Sequence, residues 1–95
     1  MDSNDYELAG VVRKLMTDVL DLRLSPEEIK DGMSLYSPTI QLDSLNLLQL
    51  LLAVEDEFGG HIDDEDVMEA DLETVGDLIG LVSRHVRENR SEAGA

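Results

Sequence analysis

The stretch from Leu45 to Phe58 constrains the fold more than any other part of the chain, because it carries more leucine than one buried helix face can use. Leu47, Leu50, Leu51, Val54 and Phe58 recur at three-and-four spacing, which already makes one stripe able to cover a core. Leu45, Leu48 and Leu52 form a second stripe, rotated from the first and bordered by Asn46, Gln49, Glu55 and Asp56. A helix with two such stripes is either buried on both sides or offers an apolar ridge to a partner. Its ends are well marked. Asp43 or Ser44 can cap the first turn, and Gly59-Gly60 allows a left-handed exit.

The same spacing over Leu8, Val11, Val12, Leu15, Met16, Val19, Leu20 and Leu22 predicts a first helix from Glu7 to Leu22. Ser25-Pro26-Glu27-Glu28 has the make-up of a capping box with proline at the first helical position, so a short helical turn is expected there. From Asp31 to Leu42 the breakers Gly32, Ser34, Ser37 and Pro38 predict a long loop. Met33, Leu35, Tyr36, Ile40 and Leu42 would anchor that loop to the core. Acids at Asp63–Asp66 precede Val67 and Met68, which suits the positive end of a short third helix. Thr74 with Asp77 repeats the capping pattern, and Val75, Leu78, Ile79, Val82 and Val86 carry a last helix to about Arg87.

The predicted fold is therefore all-α, a small bundle of three long helices plus one or two short ones. Residues 1–5 read as an N-terminal extension, 6–87 as the domain and 88–95 as a disordered tail. With 95 residues there is room for one modest core. Aromatic residues make up only 3%, so aliphatic side chains must build it.

Charge narrows the function. The 22 Asp and Glu against 7 Lys and Arg give a net charge of −15, which repels nucleic acid and anionic membranes and favours partners with basic surfaces. Without cysteine, disulfides and Cys-based zinc sites are excluded. No run approaches the ~20 apolar residues that span a bilayer, and Met1–Asp5 has no signal-peptide character. A monomeric cytoplasmic protein without membrane insertion is expected. Asp63–Asp66 lacks the alternating ligands and glycine of a calcium loop, and His61 and His85 lack metal-ligand spacing. Gly76 and Gly80 are expected to permit close helix packing. No nucleophile with an activating base, no metal motif and no nucleotide motif is present, which argues against an enzyme.

Leu42-Asp43-Ser44-Leu45, the leucine-rich helix after it and Glu55-Asp56-Glu57-Phe58-Gly59 together resemble the attachment segment of acyl carrier proteins. The order of helices and loop extends the resemblance over about residues 6–87. It implies a free-standing carrier whose Ser44 receives 4′-phosphopantetheine from coenzyme A, after which acyl groups ride as thioesters on the arm. The partners it implies are a phosphopantetheinyl transferase, an acyltransferase or acyl-activating enzyme, and a ketosynthase or other thioester-processing enzymes. It also assigns partner docking to Asp43, Leu45, Leu48 and Leu52, with Glu55 and Asp56 as further contacts. A serine at a helix start is consistent with this, since unpaired amides there favour an appended phosphate diester.

The sequence departs from the family in places. Asn46 and Gln49 stand where acids usually meet basic partner patches. Gln41-Leu42 replaces the small Gly-Ala pair of fatty-acid carriers, and the Gly-Gly of peptide-synthetase carriers is missing too. These departures favour polyketide or related specialised biosynthesis, with an aminoacyl, D-alanyl or fatty-acyl cargo as alternatives. A non-catalytic interaction module, with Ser44 only a cap, is the reading from a different class.

Overall fold

A computed structural model describes residues 3–94, with side chains for residues 7–88. Four α-helices and one 3-10 turn follow in the order α1 (Ser3–Val19), the 3-10 turn (Pro26–Glu28), α2 (Ser44–Phe58), α3 (Asp64–Ala70) and α4 (Val75–Gly94). Helix α1 packs against α2, α4 and the 3-10 turn, and α3 packs against α4. Three long helices and two short pieces match the predicted bundle.

The stripes explain the packing. Leu8, Val12 and Met16 from α1 meet Leu50 and Val54 from α2 and Val75, Leu78 and Val82 from α4, all buried. Ile29, at the end of the 3-10 turn, and Leu35, Ile40 and Leu42 of the long loop add to this core. At about 1.5–3 kcal/mol for each buried aliphatic side chain, the loop is a structural layer and not a mere connection. It is also fastened by backbone. Ser34 bridges to Thr74, the Leu35 amide donates to Glu73 at 2.9 Å, and the Val75 amide donates to Met33 at 3.0 Å.

Local capping follows the sequence closely. The Glu28 carboxylate accepts from the Ser25 amide at 3.0 Å and the Ser25 hydroxyl at 3.1 Å. The Asp77 carboxylate accepts from the amides of Thr74 at 3.0 Å and Glu73 at 3.1 Å, while the Thr74 hydroxyl accepts from the Asp77 amide.

Several expectations change. Helix α1 begins at Ser3, inside the expected extension, and stops at Val19, not Leu22. Asp21 adopts φ 52° there, and the Leu22 amide donates back to Thr17 at 3.0 Å, the bond pattern of a Schellman end. Helix α4 continues to Gly94 where a disordered tail was expected; an Arg84–Glu88 pair four residues apart lies where the extra turns begin. Met1, Asp2 and Ala95 lie outside the described residues. Tyr36 is an anchor of a different kind, exposed but with its hydroxyl bonded to the chain. The two glycines of α4 differ as well. A Cβ on Gly76 would come within 3.3 Å of the Asp31 carbonyl, whereas one on Gly80 would meet nothing. Only Gly76 serves a close approach, and it does so to the loop and not to another helix.

Candidate functional site

Asp43 sets the geometry of the site. In extended conformation at the N-cap of α2, it turns its carboxylate onto the Asn46 amide at 2.8 Å, while its carbonyl accepts from Leu47 at 2.8 Å. That leaves the amides of Ser44 and Leu45 without a described acceptor at the positive end of a 15-residue helix. Ser44 is the first residue of α2 and is exposed. A hydroxyl so placed is open to a transferase and sits where an anionic diester is electrostatically favoured.

The approach to Ser44 is tightly held. The Leu42 side chain is buried and its amide donates to Leu35 at 2.9 Å. Gln41, beside it, adopts φ 53°, a left-handed conformation that glycine enters more easily. The departure from the small pair of fatty-acid carriers thus falls on a position of backbone strain and a position of core burial.

Leu45, Leu48 and Leu52 are 63%, 54% and 56% exposed, while Leu50 and Val54 on the other face are fully buried. The second stripe is therefore an open ridge, and burial of α2 on both sides is excluded. Met68, which sequence reasoning placed on the short third helix without assigning it a role, is 79% exposed on α3. Asp56 is exposed, but Glu55 turns inward. Its carboxylate accepts from the Ile62 amide at 2.7 Å and lies 2.9 Å from His61 Nδ1, so it serves the turn between α2 and α3.

The two histidines of the chain are both engaged at that turn. His61 lies between Glu55 and Asp63, and His85 Nε2 is 2.8 Å from the Gly59 carbonyl. The turn follows the far end of α2, and fifteen residues at the α-helical rise separate it from Ser44 by about 20 Å. At that distance neither imidazole can act as general base toward Ser44.

The family described as "Phosphopantetheine attachment site" matches residues 10–82. The chain belongs to the acyl carrier protein family. It is 32% identical over its whole length to the meromycolate extension acyl carrier protein of Mycolicibacterium smegmatis, covering 91% of that protein. The protein of the same description from Mycobacterium tuberculosis is 33% identical over the whole chain and is covered to 78%. An acyl carrier protein of Nitratidesulfovibrio vulgaris is 39% identical over 72 residues, which is 76% of this chain and 88% of that one. Acyl carrier proteins bear covalent 4′-phosphopantetheine and serve a phosphopantetheinyl transferase and acyl-processing enzymes; this chain is such a carrier and not a catalyst. The exposed serine and free amides at the start of α2 fit the group. No helix among the described residues is long and apolar enough to cross a membrane.

Proposed function

We propose that Ser44 is the attachment point of the 4′-phosphopantetheine arm, and that the carrier presents a growing chain in polyketide or related specialised biosynthesis. The observation that carries the attachment reading is the exposed Ser44 hydroxyl at the capped start of α2. When attached, the arm supplies a flexible reach ending in a thiol that holds acyl groups as thioesters. Leu45, Leu48 and Leu52 act as the docking ridge, with Asp43 beside the attachment point and Asp56 at the rim. Glu55 steadies the turn behind them. With Asn46 and Gln49 uncharged, partner enzymes such as an acyltransferase or ketosynthase meet this helix mainly through shape and apolar contact. The carrier works in the cytoplasm.

A second reading, extension of a fatty-acid-like chain, is favoured by full-length relatives named for meromycolate extension. Incubation with coenzyme A and a broad-range phosphopantetheinyl transferase tests the site. One arm per chain is expected by intact mass, and modification persisting in Ser44→Ala would refute the assignment. The mass of the carrier isolated from its native host separates the cargoes, with polyketide intermediates, saturated acyl chains and aminoacyl groups each giving a different increment. An unmodified native protein would favour the interaction module.

A further inference from the structure

Away from Ser44 and the leucine ridge, one surface stands apart by its charge. Gly10, Arg13 and Lys14 of α1 face Glu27 of the 3-10 turn and Lys30 and Asp31 just after it across an open groove of about 780 Å³. Among the described residues, the cations Arg13, Lys14 and Lys30 line it against the carboxylates Glu27 and Asp31. Asp31 is taken by the Arg13 guanidinium. Lys14 and Lys30 form no ion pair among the described residues, and Lys30 Nζ reaches only the Glu27 carbonyl, at 3.4 Å. Arg13 is held against the groove, three-quarters buried, with its Nε buried and without a partner.

The groove floor gives an independent observation. Gly10 lies inside α1, where glycine is less favourable than alanine. Packing within the chain does not require it, since a Cβ there would meet no atom within 4 Å. Gly32 and Gly80 are also open, but neither lines this groove or the smaller one beside Gln41. A glycine in open space beneath a cationic rim leaves room for another backbone to come close.

We propose that this groove binds a carboxylate-bearing extended segment of a partner protein, its backbone crossing Gly10 and its acids meeting Lys14 and Lys30. The chain as a whole, at −15, repels acidic proteins. The occupant is therefore a short acidic segment on a partner whose main surface is basic, and its binding weakens with salt. The inference does not depend on the Ser44 assignment.

The test is an NMR titration of the isotope-labelled full chain with a capped hexaglutamate peptide at constant ionic strength. Saturable shifts are expected at the amides of Gly10, Lys14, Lys30 and Asp31. Joint Lys14→Glu and Lys30→Glu substitution weakens binding by about tenfold. Gly10→Leu weakens it as well while helicity is retained, which a merely structural glycine would not do. Leu48→Glu leaves it unchanged. Three results would overturn the proposal: no saturable shift at these amides, the same shifts from sodium phosphate at matched ionic strength, or full affinity in a folded Gly10→Leu chain. Loss of binding in Leu48→Glu would move the site to the ridge and overturn it equally.

Discussion

The Tyr36 hydroxyl donates to the Leu72 carbonyl at 2.9 Å, joining the middle of the long loop to the segment before α4. Tyr36 stays 59% exposed, so the bond, more than burial, holds it in place. Tyr36→Phe keeps the ring and removes the donor. Urea denaturation should show a loss of about 0.5–1.5 kcal/mol, with faster amide exchange at Leu35 and Leu42. Unchanged exchange would mean the loop is held without it.

The two faces of α2 should separate stability from function. Leu50→Ala empties a fully buried site and should cost about 2–5 kcal/mol in chemical denaturation. Leu48→Glu lies on the open ridge and should shift stability by only about 0.5 kcal/mol, yet slow acyl transfer by partner enzymes. Wild-type turnover in Leu48→Glu would count against docking along the ridge.

Asp77 links the start of α4 to pH. The Thr74 amide, then the Glu73 amide, hold its carboxyl below the ordinary value of 3.8. Glu28 is lowered from 4.5 chiefly by the Ser25 amide and then its hydroxyl. Both folded-state values lie under the unfolded ones, so their contribution is present at neutral pH and disappears as pH falls through and below these values. Relief of repulsion among the acids acts in the opposite sense on the way down. Thermal melts should therefore show a stability maximum in mild acid followed by a fall. Asp77→Asn should flatten that fall, and added salt should raise the melting temperature at neutral pH.

Gln41 offers a stabilising change. A non-glycine residue at φ 53° is strained, so Gln41→Gly should gain about 1 kcal/mol or less, since glycine also loosens the unfolded chain. A drop in stability would show that the Gln41 side chain contributes more than the strain it causes.

What was legible in the sequence was what is decided within a few residues. The caps at Ser25, Asp43 and Thr74, the glycine exit of α2 and the exposed second leucine stripe depend on neighbours three or four positions away, and periodicity reveals them. What was missed depends on distant partners or on weak local signals. The bond from Tyr36 to Leu72 spans 36 positions, and Glu55 turned inward because Ile62 and His61 fold back over it. The end of α1 was placed too late because Asp21, not glycine, takes the left-handed position. The polar ends of α1 and α4 have no apolar stripe to announce them, and residues such as Asn4, Asp5, Asn89 and Ser91 are weak helix formers.

The link from the Leu42 amide to the Leu35 carbonyl, and from the Leu35 amide to Glu73, runs from the mouth of α2 to the root of α4. A pull exerted at that mouth therefore meets two helices yoked together and not the slack of a free loop. An enzyme drawing on whatever is tethered there would shift the whole bundle as one body before it peeled any part away.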